Sequence, residues 1–237
     1  MRELRNVIVP ATVGKVAGTA VGTTGYTAGS LDFASAQKSK APLVLAFVLG
    51  LAFLLLLVTF RSIVIPIKAI VLNMLSVSAA YGVLVLVFQK GWGESLLGFH
   101  STGTVVAWLP MFLFVILFGL SMDYHVFILS RIKEAYDKGA SSDEAITTGI
   151  KSTAGTVTGA AVVMVAVFGI FATLSLVDMK MMGVGLAVAV LIDATIVRAV
   201  LLPATMKLLG DRNWYLPRSL GWLPKIRTEA ELAPARA

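Results

Sequence analysis

Apolar residues fill five long runs of this chain, and polar residues collect between them. The runs are Ala41 to Phe60, Ile63 to Gln89, Val105 to Ser130, Ser152 to Leu176 and Met181 to Leu209. Each reaches or exceeds the roughly 20 residues that a helix needs to cross a bilayer. Arg61 and Ser62 form the turn between the first two. Before the fourth run, Ser141 is followed three residues later by Glu144, the spacing of a capping box in which the two side chains satisfy orphan N–H groups at a helix start. That signal predicts a short amphipathic helix leading into the fourth span. Small residues mark helix-packing positions: Gly119 on the third span, Gly155 and Gly159 with Ala166 and Gly169 on the fourth, and Gly185 with Ala189 on the fifth.

Met1 to Lys40 has no such run. It is rich in Gly and Thr, with a short strand expected near Val16 to Thr23 and a helical approach from Ala28. A lone strand does not stay folded, so this segment needs a sheet from elsewhere. It lacks the apolar core and small-residue cleavage site of a secretory signal, and the amino terminus therefore reads as an internal piece of something larger.

Composition turns five runs into a class. With 57% hydrophobic residues, 14% charged residues and a mean hydropathy of +0.87, the chain is expected to be an all-α integral membrane protein. No cysteine is present, which excludes disulfides and thiolate metal sites, and two histidines, His100 and His125, are too few for a histidine-rich site. The net charge of +7 does not point to nucleic acid, because the basic residues sit at the ends of apolar runs and in the tail. Arg61 and Lys68 flank one turn; Arg131, Lys133, Lys138 and Lys151 flank another; Arg212, Arg218, Lys225 and Arg227 occupy the tail. These segments are expected on the cytoplasmic side. Lys90 with Glu94 and Asp178 with Lys180 nearly balance on the opposite face, where Trp92 and Trp108 suit an outer interface. The amino terminus is then extracytoplasmic and the carboxyl terminus cytoplasmic.

Charges inside the runs carry the chemistry. From Ser101 to Leu129 the only charged residue is Asp123, and an acid at the centre of a membrane helix costs about 2.5–3.5 kcal/mol on insertion scales, so such residues mark ion or proton paths. Asp193 and Arg198 repeat the anomaly in the fifth run. Gly185, Ala189 and Asp193 fall at i, i+4 and i+8, which places Asp193 on a small-residue face turned toward protein. Gly119 lies one turn before Asp123, so a neighbouring helix can approach there, and both acids are expected in one bundle core. Burial and the Arg198 charge act oppositely on a carboxylate, the balance a proton carrier needs. Tyr124 adds a hydroxyl beside the acid.

Structural readings of the same residues stand beside these. Asp193 with Arg198 also fits an inert buried pair that fixes packing, and Tyr124 fits interior packing. Ser121 and His125, four apart, have the spacing of a nucleophile and base, but no glycine-framed loop or oxyanion hole accompanies them, so no catalytic residues and no enzyme are expected. Asp123 and His125 point to nearly opposite helix faces without a third ligand, so no metal site is expected.

The motifs together resemble a known family. Phe118-Gly-Leu-Ser-Met-Asp123-Tyr124, the run from Gly185 through Asp193 to Arg198, Leu202-Pro-Ala-Thr-Met-Lys-Leu-Leu-Gly210, Phe60-Arg-Ser-Ile-Val-Ile-Pro66, Asn73-Met-Leu-Ser-Val-Ser-Ala-Ala-Tyr-Gly82 and Asn213-Trp-Tyr-Leu-Pro217 resemble, in order, the MMPL branch of the resistance-nodulation-division (RND) transporters. The resemblance implies a proton-driven exporter of lipids or hydrophobic compounds, built from two six-helix halves with extracytoplasmic porter domains. It matches the five spans here to helices eight to twelve, residues 1–39 to a remnant of the second porter domain, 40–209 to the transmembrane domain and 210–237 to a cytoplasmic basic tail. It assigns Asp123, Tyr124, Asp193 and Arg198 to the proton relay, with the proton gradient as energy source and no cofactor.

Two departures matter. The matching Asp-Tyr pair of the first half is absent from this chain, so the implied partner is a first half of the transporter or a separately encoded equivalent. His125 stands where related sequences more often carry an acid. The expected function is therefore the C-terminal part of a proton-driven lipid or drug exporter. The alternatives are a truncated inactive fragment and a lipid- or sterol-sensing scaffold of related architecture, and retention of all four relay residues favours transport.

Overall fold

The computed structural model of the chain describes residues 1–224 apart from Arg2 and Thr19. Lys225 and Arg227, expected in the basic tail, lie outside the described residues. Five helices are long and apolar enough to cross a membrane: α1 Tyr26–Phe60, α2 Val64–Gln89, α3 Leu109–Asp137, α4 Ser142–Phe171 and α5 Val177–Trp214. No strand occurs among the described residues. The chain divides into two compact units, Met1–Val44 and Leu45–Ala237.

In the first unit the segment expected as a strand is irregular instead. A short 3-10 turn covers Val13–Lys15, and Gly18 and Gly25 take φ of 80° and 111°, left-handed backbone that breaks an extended run. An isolated strand has no ladder to complete, so nothing holds it extended. Arg5 pairs with Asp32, its Nη2 2.7 Å from Oδ2, and also donates to the Thr23 carbonyl at 3.2 Å. The helix begins at Tyr26, before the expected approach, and runs through Pro42 without a break. The expected helical approach from Ala28 is thus present and joins the first span in one element.

Within the second unit, local chemistry sets the helix ends. At the α1–α2 turn Arg61 adopts φ 48°, and the Ser62 hydroxyl accepts from the N–H of Val64 at 3.1 Å while donating to the Asn213 carbonyl at 2.6 Å. Pro110 sits in the first turn of α3, where its missing N–H costs nothing. α3 stops at Gly139, whose φ of 93° lets its N–H and that of Ala140 reach back to the carbonyls of Tyr136 and Ala135. The Ser141–Glu144 capping box is present in both directions. It opens α4 itself rather than a separate amphipathic helix: residues 142–171 form one continuous element, because nothing between Ser142 and the apolar run breaks the helical ladder.

The interior is apolar, filled by side chains such as Phe88, Phe118, Leu84, Leu113, Leu129 and Leu186. The exterior is apolar too. Leu51, Val71, Val115, Val163, Ile170 and Val200 are all exposed, an arrangement that water would penalise and hydrocarbon does not. α3 packs mainly on α4, α4 on α5, and α2 on both α5 and α3.

Close approaches occur at glycines other than most of those expected. A Cβ on Gly149 would lie 2.8 Å from the Ile132 backbone nitrogen, and one on Gly183 would lie 2.6 Å from the Phe168 carbonyl oxygen. Gly185 does pack, against Leu113 at 3.0 Å and Leu84 at 3.2 Å. Gly119, Gly155 and Gly159 have nothing within 4 Å and stand on exposed faces. Spacing finds a small-residue stripe but not which side of the helix its neighbour occupies.

Candidate functional site

α5 is not a uniform α-helix. Asp193–Leu201 is π-helical, flanked by α-helix before and after. In an α-helix, residues five apart diverge by roughly 140° around the axis; a π turn closes i to i+5 and brings them onto one side. Asp193 and Arg198 are five apart, and the widened turn lets them meet. Arg198 Nε donates to Asp193 Oδ2 at 2.8 Å, and Nη2 reaches the same oxygen. Both residues are buried, so the charges are paired where an isolated one would be prohibitive.

α3 closes the site. Arg198 Nη2 also donates to the Ser121 carbonyl at 2.9 Å and to its hydroxyl oxygen at 3.1 Å. The Ser121 hydroxyl lies 3.0 Å from Asp193 Oδ1 and 2.6 Å from Asn73 Oδ1 on α2. The Tyr124 ring stacks 4.6 Å from the Arg198 guanidinium carbon, a cation–π contact, while its hydroxyl approaches Met164 Sδ on α4 at 3.8 Å. Asn73, Ser121, Tyr124, Asp193 and Arg198 line one cavity with Met164. Its free volume of about 20 Å³ has room for about one water. A second cavity, bordered by Thr153 and Thr158 on α4, reaches Arg198 from another side.

Three of the four expected relay residues therefore meet, and Asp123 does not join them. The buried face of α3 carries Phe118, Ser121, Met122 and His125, while Gly119, Asp123 and Phe127 share the opposite, exposed face. The two acids do not share a core within this chain, since the side of α3 that packs on α2, α4 and α5 is the Ser121 side. His125 is wholly buried, but its Nδ1 lies 3.1 Å from the Ser121 carbonyl, not the hydroxyl. The Ser121–His125 spacing is thus ordinary helical geometry. Sequence reasoning missed Asn73 and the hydrogen-bonding role of Ser121. The signal was available: each is a polar residue within an apolar run, and Asn73 and Ser76 share the helix face that packs on α5, where Ser76 donates to the Ala189 carbonyl at 3.4 Å.

Among the described residues two lysines are buried and bind neutral oxygens. Lys68 Nζ donates to Asn213 Oδ1 at 2.9 Å. Lys180 reaches the carbonyls of Leu97 and Gly98, the latter at 3.3 Å, at the end of the short helix Glu94–Leu97. Cations are favoured at such a C-terminus. Among the described residues no group of His, Cys, Asp or Glu is placed to hold a metal ion.

Five membrane-length helices, four of which enclose a buried, hydrogen-bonded acid–arginine pair, define a polytopic membrane protein with an ionisable core. The chain belongs to the MMPL family, whose model matches residues 2–235. It is 43% identical over 207 residues to the mycolic acid-containing lipids exporter MmpL11 of Mycolicibacterium smegmatis, covering 87% of this chain and 21% of that protein. The heme uptake protein MmpL11 of Mycobacterium tuberculosis is 42% identical over 213 residues, 90% of this chain and 22% of the relative. The trehalose monomycolate exporter MmpL3 of the same species is 35% identical over 232 residues, 98% and 24% respectively. The chain thus spans between a fifth and a quarter of the length of these relatives.

Proposed function

We propose that this chain forms the C-terminal membrane part of a proton-motive-force-driven transporter that exports lipids or hydrophobic compounds, with Asp193, Arg198, Tyr124 and Asp123 as its proton relay. The observation that carries the reading is the buried Asp193–Arg198 pair on a π turn, held by Ser121 and stacked against Tyr124 beside a water-sized cavity. An acid that only fixed packing would need no such cavity, and π turns gather at functional sites. Two MMPL relatives carry names of lipid exporters, which supports the substrate class. The chain is set in an inner membrane with its amino terminus outside and its carboxyl terminus in the cytoplasm, as the distribution of basic residues favours.

Asp123 enters through its exposure. A carboxylate facing hydrocarbon is costly, so the Gly119–Asp123 face of α3 is the surface that the first half of the transporter, in the same polypeptide or encoded separately, covers. Protons then pass between an acid of that half and Asp123, with Asp193 and Arg198 responding on the other side of α3. The test uses proteoliposomes of the assembled transporter under a proton gradient. Asp123→Asn is expected to abolish proton-dependent lipid export while the protein remains inserted and folded; export at the unsubstituted rate sinks the relay.

A further inference from the structure

One hydroxyl proton serves two acceptors at the centre of the site. Ser121 Oγ lies 2.6 Å from Asn73 Oδ1 and 3.0 Å from Asp193 Oδ1, and accepts from Arg198 Nη2 at 3.1 Å. A serine hydroxyl has one donor and two acceptor sites, so Ser121 cannot donate to both oxygens at once. We propose that Ser121 and Asn73 form a hydrogen-bond switch that reports the protonation of Asp193 on α5 to α2. The inference rests on the relay reading above.

The two states follow from counting protons. With a proton on Asp193 Oδ1, the carboxyl donates to Ser121 Oγ, and Ser121 donates onward to Asn73 Oδ1 across the 2.6 Å contact. The Arg198 contacts go to the other carboxylate oxygen, Oδ2, and so leave Oδ1 open to carry that proton. With Asp193 ionised, the charged oxygen takes the Ser121 proton, the stronger of the two possible bonds. Asn73 Oδ1 is then 2.6 Å from Ser121 Oγ with no proton between them. Asn73 relieves this by turning its amide so that Nδ2 donates to Ser121 Oγ. That nitrogen is the available donor: it is buried and has no hydrogen-bond partner. The proton gained by Asp193 thus turns a side chain on a different helix, without any further group gaining or losing charge.

Charged and titratable groups around the switch come from α5, α2 and α3. α5 supplies Asp193 and Arg198, α2 carries the buried Lys68, and α3 carries the buried His125. α4 lines the cavity with uncharged side chains, Val157, Ala161 and Met164. Ser121 and Asn73 are positioning residues, since they set the geometry of the proton-carrying carboxylate and carry no charge themselves.

Infrared difference spectra of the full chain in lipid nanodiscs, recorded between alkaline and acidic buffer, test the proposal. The protonated-carboxyl band of Asp193 is assigned by its loss in Asp193→Asn, and the side-chain amide band of Asn73 by its loss in Asn73→Leu. The expected result is that both bands change over the same pH interval in the unsubstituted chain. Ser121→Ala should keep the Asp193 band while silencing the Asn73 response, and Ser121→Thr should restore it. An Asp193 band that titrates while the Asn73 band stays fixed overturns the switch and leaves the relay standing. The absence of any Asp193 titration overturns both. The unsubstituted spectra are decisive even where Ser121→Ala does not fold.

Discussion

Arg198 ties three residues of this site together: it binds Asp193, two atoms of Ser121 and the face of Tyr124. Arg198→Met leaves a buried carboxylate without its cation and is expected to destabilise the folded chain by about 3–5 kcal/mol, read as a loss of thermal stability in detergent. Adding Asp193→Asn removes the stranded charge and should recover most of that loss. If the double variant recovers stability and also transports normally, the pair is structural and carries no protons. Much of this cluster was legible in the sequence, because an acid and an arginine in an apolar run are conspicuous. The side of α3 that would meet them was not. Asp123 is the most conspicuous residue of that helix by charge, yet the neutral Ser121, two positions earlier, faces the pair; periodicity gives the angle between two residues but not which one the neighbouring helices see.

At the scale of elements, glycine position decides where helices touch. Gly149→Ala would press a methyl group against the Ile132 backbone and should cost about 1–3 kcal/mol. Gly155→Ala meets open space and should stabilise the isolated chain by up to about 1 kcal/mol through helix propensity. Thermal unfolding of the two variants side by side checks both signs. Ser141→Ala removes one arm of the capping box and is expected to cost about 1 kcal/mol, measurable in the same series. The capping box and the five spans could be read from sequence because both are local patterns of a few types of residue. The π turn could not: no residue between Asp193 and Leu201 advertises it, and the i, i+5 spacing of the charges becomes meaningful only once the widened backbone is known.

For the whole molecule, the absence of cysteine offers a clean probe of the exposed face. A single Ile116→Cys substitution, one helical turn from Gly119 and already exposed, should react with a membrane-permeant maleimide in the chain alone and be protected once the rest of the transporter is assembled; equal reactivity in both states would place the covering half elsewhere. Where the proposed first half is encoded separately, the uncovered acid also biases what a cell accumulates. A copy whose Asp123 meets only lipid carries a penalty of about 2.5–3.5 kcal/mol, which weights orphan copies down by roughly a hundredfold relative to covered ones. In that arrangement one carboxylate on an otherwise greasy surface acts on subunit stoichiometry, disfavouring surplus copies before any proton has moved.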